Sequence, residues 1–221
     1  MQKWRVLRIV RLEGLWHLAI MDSLIAGYRR YRADRWPRHK AIHQKLAGGQ
    51  RPRFLIIGCC DSRVDPATIF DADPGELFII RNVANLAPPY EEGGGYHGTS
   101  AAIEFAVENL EVEHIVVLGH ASCGGVAAAL APQSVAHTAF LAAWVGLLDT
   151  AKKRIEGRAG DPHTALEHES IRVTLENLMT FPFVAARVKS GKLKLGGARY
   201  GVADGVLEIY NPATDAFTVI G

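Results

Sequence analysis

Three short apolar runs along the chain predict buried β-strands. They cover residues 54–59, 77–80 and 115–118, and each is continuous rather than alternating. Continuous runs of this length are typical of strands that are buried on both faces. A helix is predicted over residues 99–110, between the second run and the third. Strands that alternate with helices imply a parallel sheet with right-handed crossovers.

The regions on either side of these runs are predicted to be mainly helical. Residues 21–46 have the spacing of one or two amphipathic helices, broken near Trp36 and Pro37 because proline disfavours helix at the preceding residue. Helices are also predicted over 136–156 and 164–189, the second bent at Pro182, followed by two or three short strands ending near residue 220. The predicted fold is α/β, a central, mostly parallel β-sheet with flanking helices and an N-terminal helical arm.

Residues 21–221 are predicted to form a single domain. Residues 1–20 are expected to be an extension, either a disordered segment or a stretch ahead of an alternative start at Met21. Hydrophobic residues make up 48% of the chain and charged residues 22%, which excludes a wholly disordered protein. No apolar run approaches the ~20 residues of a membrane span, so no membrane partner is expected.

The charge of the chain is unevenly distributed. Residues 1–48 carry 11 of the 25 Lys and Arg residues but three of the 23 Asp and Glu residues. These basic residues lie among helix-compatible positions, which favours a solvated helix face over a nucleic-acid partner. Three cysteines, an odd number in a chain too long for a disulfide scaffold, favour a reducing compartment, and a cytoplasmic location is expected.

Unusual residues follow two of the predicted strands. Cys59 ends the first run, and His120 and Cys123 follow the third. Ligands of open α/β sheets bind at the carboxyl ends of strands, so these three side chains can converge. Two cysteines and one histidine are a known ligand set for a catalytic zinc ion with an open fourth position, and soft donors favour zinc. One zinc ion per chain is therefore predicted.

Other roles for the cysteines stay open at this point. Free cysteine often fills a core, and this is favoured for Cys60, whose side chain points away from that of Cys59 if the strand continues. Cys59 could instead be a nucleophile activated by Arg63. The spacing of a cysteine phosphatase fails, because Asp65 stands where that loop needs arginine.

Asp61 and Arg63 can face the same side of the extended segment after the first strand. An opposite charge keeps an aspartate ionised, and the guanidinium group can hold a carboxylate in one orientation. Turn-forming residues would be expected at a strand end without a function, so these two charged residues are candidates for a functional role.

The motifs Cys59-x-Asp61-Ser62-Arg63 and His120-x-x-Cys123-Gly-Gly together resemble the β-class carbonic anhydrases. The resemblance extends over about residues 21 to 210. It implies a zinc-dependent lyase, a carbonate dehydratase, in which zinc-bound hydroxide attacks carbon dioxide to give bicarbonate and a proton.

Carried over by position, the resemblance assigns roles to individual residues. Cys59, His120 and Cys123 are the zinc ligands, and Asp61 and Arg63 form the catalytic dyad that orients the hydroxide. Four further positions are expected to contact substrate: Gln50, Phe78, Phe105 and Gly124. Phe105 replaces a tyrosine seen in plant-type members. The family also implies a homodimer or a higher even oligomer, with the pocket at the subunit interface and basic N-terminal helices gripping the partner.

Some family members switch to a closed state in which the dyad aspartate binds zinc, which makes Asp61 a candidate fourth ligand. Bicarbonate stabilises that state from a pocket of tryptophan, arginine and tyrosine. Arg81 and Tyr200 match two of these positions, but Ile56 replaces the tryptophan. Isoleucine has no ring N–H to donate, so an open resting site is predicted.

Two alternatives to carbon dioxide hydration remain. One is a hydrolase of carbon disulfide or carbonyl sulfide on the same scaffold. The other is a zinc-stabilised interaction module without catalysis, against which Asp61, Arg63 and Gln50 argue.

Overall fold

The structure is a computed structural model that describes residues 16–93 and 97–220. Its strands are β1 (Phe54–Cys59), β2 (Leu77–Asn82), β3 (His114–His120), β4 (Lys194–Tyr200), β5 (Leu207–Asn211) and β6 (Ala216–Ile220). Its helices are α1 (Trp16–Arg30), α2 (Trp36–Leu46), α3 (Pro66–Ile69), α4 (Gly98–Glu104), α5 (Gly124–Leu130), α6 (Leu141–Val145), α7 (Asp149–Ile155), α8 (Pro162–Leu178) and α9 (Pro182–Lys189).

The six strands form one sheet in the order β2-β1-β3-β4-β5-β6. β1 pairs in parallel with β2 and β3, and β3 pairs in parallel with β4, whereas β5 and β6 are antiparallel additions. The predicted central, mostly parallel sheet is confirmed. The chain leaves β1 towards one edge of the sheet and leaves β3 towards the other, so the carboxyl ends of β1 and β3 border a topological switch point.

The two faces of the sheet are covered to different extents. Leu55 and Ile57 of β1 belong to a large buried cluster that includes side chains of α4, α8 and α9. Ile56 points to the other face, where it forms a smaller cluster with Leu118 and Ala198. The apolar run of β1 is therefore buried on both faces, as predicted, whereas that of β2, at the edge of the sheet, is only partly buried.

Several helices differ from the sequence prediction in their bounds. The break expected near Trp36 is a π-helical turn over Tyr31–Arg35, after which Pro37 lies in the first turn of α2. The backbone stays in the right-handed helical region at Arg35 and Trp36, so the helix continues through this turn and is not broken there. The bend expected at Pro182 is a full break, because α8 ends at Leu178 and α9 begins at Pro182. Helix α5 was not predicted.

The chain divides into two compact units at Gly48 and Gly49. The first unit contains α1 and α2, and within it Trp36 stacks on His43 at 5.0 Å between ring centroids. α1 begins at Trp16, five residues before the predicted boundary at Met21, and residues 1–15 of the predicted extension lie outside the described residues. Among the helices that the structure describes, none has both the length and the apolar character needed to cross a bilayer.

Candidate metal centre

The structure brings Cys59, His120 and Cys123 together at the switch point of the sheet. Cys59 is the last residue of β1 and His120 is the last residue of β3. Cys123 lies directly before α5, in the turn that follows β3. The Sγ atoms of the two cysteines and a ring nitrogen of His120 all lie within 4.8 Å of one another, and all three residues are buried.

The spacing of these atoms fits a tetrahedral metal ion. The two Sγ atoms of Cys59 and Cys123 are 3.9 Å apart. Two sulfurs bound tetrahedrally at ~2.3 Å from one zinc ion would be separated by about 3.8 Å. The Nε2 atom of His120 is buried and has no hydrogen-bond partner among the described residues, while its Nδ1 lies 2.9 Å from the carbonyl oxygen of Ala121. A histidine whose Nδ1 donates to a carbonyl presents the Nε2 lone pair to a metal.

The surroundings of the two thiols favour a thiolate at this position. A hydrogen bond from Cys123 lowers the pKa of Cys59 far below that of an ordinary thiol, in opposition to burial, and a contact with His120 adds to this effect. Because Cys123 donates that hydrogen bond, its own pKa is raised. The backbone N–H groups of Gly125 and Val126, at the start of α5, point to the sulfur of Cys123 and act in the opposite direction. The two sulfurs thus share one proton, which leaves one thiolate, and a metal bound by both cysteines would displace that proton.

Asp61 and Arg63 form a bidentate ion pair beside these three residues. Arg63 donates from Nε to Oδ1 of Asp61 at 2.9 Å and from a terminal nitrogen to Oδ2 at 2.7 Å. Its backbone N–H also donates to Oδ1, at 3.0 Å. These hydrogen bonds hold the pKa of the Asp61 carboxyl well below its usual range. Oδ2 of Asp61 lies 4.0 Å from Nε2 of His120, so the carboxylate borders the three candidate ligands while it pairs with Arg63.

Arg63 also connects the dyad to the turn that carries Cys123. One of its terminal nitrogens donates to the carbonyl oxygen of Ser122 at 3.0 Å. Ser122 has a φ of 57°, in the left-handed region that non-glycine residues rarely adopt. The neighbouring N–H of Ala121 donates to the carbonyl oxygen of Tyr200 at 2.8 Å. Contacts from two separate segments therefore fix the conformation of this turn.

Arg81 has a role that the sequence did not reveal. Its guanidinium group donates to the carbonyl oxygens of Cys59, Asp61 and Val64, at 2.9, 2.7 and 3.1 Å. It thereby fixes the loop that carries the dyad. The sequence around Arg81, near the end of a strand, contains no pattern that predicts hydrogen bonds to three carbonyl groups of another loop.

The four predicted substrate-contacting residues are not all near this centre within one chain. Gly124 is the first residue of α5, next to Cys123, and its N–H has no partner within the helix. Gln50 precedes β1, at the opposite end of that strand from Cys59. Phe78 is paired in register with Leu55, about 13 Å along the strand from Cys59 at ~3.3 Å per residue.

Phe105 lies with Phe78 rather than with the three candidate ligands. The ring centroids of the two phenylalanines are 5.8 Å apart, and Phe105 is 44% exposed. Gln50, Phe78 and Phe105 therefore lie away from the carboxyl end of β1, where Cys59 is located.

Comparisons with known proteins agree with this geometry. A family model described as carbonic anhydrase matches residues 54–207. Beta carbonic anhydrase 3 of Arabidopsis thaliana is 33% identical over 201 residues, which is 87% of this chain and 78% of that protein.

Solved structures give the same result. The β-carbonic anhydrase CcaA has a TM-score of 0.84 and 32% identity, over 92% of this chain and 93% of that one. A Coccomyxa β-carbonic anhydrase in complex with acetazolamide has a TM-score of 0.73 and 27% identity, over 86% and 85% of the two chains. A tetrameric β-carbonic anhydrase of Sordaria macrospora has a TM-score of 0.71 and 29% identity, over 93% and 100%. The chain belongs to the β-class carbonic anhydrases, enzymes that catalyse the hydration of carbon dioxide.

Proposed function

We propose that Cys59, His120 and Cys123 hold one zinc ion per chain and that carbon dioxide is hydrated beside it. The observation that carries this proposal is the buried Cys-His-Cys cluster, with its unpartnered His120 Nε2, next to a paired aspartate and arginine. Bound there, zinc supplies the Lewis acidity that lowers the pKa of water from 15.7 towards about 7 and so allows hydration at neutral pH.

The dyad orients the attacking oxygen. Asp61 is ionised and held by two side-chain hydrogen bonds from Arg63, so it accepts a hydrogen bond from the attacking O–H group. This fixes the O–H bond and turns an oxygen lone pair towards carbon dioxide. The N–H of Gly124 lies beside Cys123 and donates to an oxygen of the product as negative charge develops. With Asp61 held by Arg63, the resting site would be open, and Asp61 would become a fourth ligand only if this pair broke.

Gln50, Phe78 and Phe105 act in the active site of a second copy. They lie too far along the sheet from Cys59 to reach the metal centre of their own chain. In a dimer, the side-chain amide of Gln50 donates to the developing bicarbonate of the other copy. The two phenylalanine rings form apolar walls around its small nonpolar substrate.

An apolar groove beside the metal centre supports this arrangement. Its volume is about 940 Å³, and its described lining includes Val83, Phe140, Leu141 and Trp144. Val83 immediately precedes Ala84, whose backbone N–H contacts the sulfur of Cys59. Phe140 is 87% exposed and lines this groove with Leu141 and Trp144, and a contiguous exposed apolar surface is typical of a protein–protein contact. The second copy is the proposed occupant, and the Sordaria macrospora relatives are tetrameric.

Mixed dimers test the shared site. Cys59→Ser and Gln50→Ala homodimers are each expected to lose at least about 100-fold in activity, the second because a donor to developing charge is lost. A dimer with one copy of each variant has one complete site, in which the Cys59→Ser chain supplies Gln50. Purified through two different affinity tags, it is expected to show about half the wild-type rate of carbon dioxide hydration.

Gln133→Ala, at an exposed glutamine outside the site, is the control for the amide substitution and is expected to keep wild-type activity. If the mixed dimer is no more active than the mean of its parent homodimers, each chain completes its own site and the shared arrangement is wrong.

The cytoplasm is the proposed location. The sulfurs of Cys59 and Cys123 are close neighbours, and in an oxidising compartment a disulfide between them would compete with metal binding.

Stopped-flow measurement of carbon dioxide hydration, on full-length protein of measured zinc content, tests the proposed function directly. One zinc ion per chain and fast hydration are expected, with little hydrolysis of carbonyl sulfide or carbon disulfide by the same sample. A zinc-loaded protein that hydrates no carbon dioxide would contradict the proposal.

A further inference from the structure

A buried carboxylate lies behind the metal-binding turn. Glu167, on α8, has a side chain that is 1% exposed. Its Oε1 accepts a hydrogen bond from the backbone N–H of Cys123 at 3.2 Å. This contact joins residues 44 positions apart in the sequence, and it acts on the backbone of a proposed zinc ligand.

Two further side chains fix the Glu167 carboxylate. Arg199 of β4 donates from Nε to Oε2 at 2.7 Å, and one of its terminal nitrogens lies 2.7 Å from the same oxygen in an ion pair. The Nδ1 atom of His163, one turn earlier on α8, lies 2.8 Å from Oε1. Since a carboxylate only accepts hydrogen bonds, Nδ1 carries the proton in this contact. Glu167 is thus held from two sides while it accepts the N–H of Cys123.

Arg199 is itself held in place by residues further from the metal centre. Its other terminal nitrogen donates to Oε2 of Glu208 on β5 at 2.9 Å, and the same oxygen lies 2.9 Å from Nε2 of His168. The guanidinium group therefore bridges two carboxylates and cannot rotate without losing one of them. A planar, rigid guanidinium group that is held by a second carboxylate in this way sets the position of the first.

We infer that Glu167 is a positioning residue for the metal centre, fixing Cys123 through its backbone N–H while Arg199 fixes Glu167. This inference rests on the proposed zinc site. The turn from His120 to Cys123 includes the left-handed residue Ser122, so its conformation needs support from outside. Arg63 holds one side of the turn and Glu167 holds the other. Outer contacts of this kind typically contribute about 10- to 100-fold to metal affinity or activity.

Glu169 provides a matched control on the same helix. It is also buried, at 2% exposure, and also pairs with arginine: Arg154, Arg158 and Arg172 contact its carboxylate at 3.1 to 3.4 Å. These partners lie on α7, just after it, and on α8, not on the metal-binding turn. Removing either carboxylate disturbs a buried ion pair. Of the two carboxylates, only that of Glu167 accepts a hydrogen bond from Cys123 among the described residues.

The test compares Glu167→Gln and Glu169→Gln in the zinc-loaded, full-length protein. Zinc release to an excess of a colorimetric chelator is expected to be about tenfold faster or more in Glu167→Gln and unchanged in Glu169→Gln. The cobalt-substituted forms give an independent readout, because the thiolate-to-cobalt absorption bands report the geometry of the sulfur ligands. These bands are expected to shift in the first variant only, although both variants lose thermal stability.

Arg199→Lys is the second variant, and it decides the question if Glu167→Gln does not fold. Lysine keeps the charge but loses the planar guanidinium group that joins Glu167 to Glu208, so faster zinc release is expected here too. Folded variants at either position with wild-type zinc release and cobalt spectra would overturn the inference. A wild-type protein that binds no zinc would instead refute the proposed function, whatever the variants show.

Discussion

Replacing Cys59 with serine is expected to remove zinc and abolish carbon dioxide hydration together. A serine hydroxyl stays protonated at neutral pH and is a poor zinc ligand, so two donors of the cluster would remain. Without a metal to acidify water, the rate falls by several orders of magnitude. His120→Ala and Cys123→Ser should give the same result, since each removes one of three buried donors. Zinc content by mass spectrometry and hydration by stopped flow, on the same samples, measure both effects.

Cys60→Ser is the control, because it makes the same replacement of sulfur by oxygen in the neighbouring cysteine. Cys60 is exposed, so the core position favoured for it from the sequence is wrong, and it lies outside the buried cluster that Cys59 completes. This variant is expected to keep one zinc ion per chain and wild-type activity. Loss of zinc from Cys60→Ser, with retention in Cys59→Ser, would place the other cysteine of the pair at the metal.

The parallel sheet and the Cys-His-Cys cluster can be predicted from patterns that are local in the sequence. A continuous apolar run that ends in Cys59 predicts both a buried strand and the edge of the sheet where the thiol lies. The same holds for the run before His120. Because neighbouring parallel strands bring their carboxyl ends to one edge, residues 61 positions apart meet without knowledge of any tertiary contact.

Helix α5 was missed because Gly124 and Gly125 favour a turn over a helix in sequence-based reasoning. The structure shows what Gly125 permits. A Cβ there would lie 2.6 Å from a methyl group of Val83 and 2.9 Å from the Cβ of Ala84. The residue is a glycine because the start of α5 packs directly on the segment that contacts Cys59. Such a close approach is set by tertiary packing and leaves no local pattern.

The other features missed from the sequence depend on distant partners. Nothing near Glu167 in the sequence indicates that it meets the N–H of Cys123, and nothing near Arg81 indicates three loop carbonyls. Gln50 and Phe78 were predicted to contact substrate by position alone. The strand register places Phe78 beside Leu55, away from the carboxyl end of β1 where Cys59 lies, and this distance is the basis of the proposed second copy.

Arg63→Ala is expected to keep zinc and lose most of the activity, by about 100- to 1,000-fold in kcat. Arg63 donates two side-chain hydrogen bonds to Asp61 and contacts none of the three candidate zinc ligands through its side chain. Without it, the carboxylate is free to rotate and to approach the metal, since Oδ2 already lies 4.0 Å from Nε2 of His120. Full zinc content with a lowered kcat would separate orientation of the attacking oxygen from metal binding.

Arg158→Ala is the matched control for this prediction. Its side chain is 51% exposed against 47% for Arg63, and it pairs with Glu169, away from the metal centre. It is expected to leave both zinc content and kcat unchanged. If Arg63→Ala also retains near-normal kcat at full zinc content, Asp61 needs no orienting partner and the dyad has no part in the mechanism. An unchanged kcat with a raised KM would instead assign Arg63 to substrate binding, because an interaction that orients the attacking oxygen acts on the transition state.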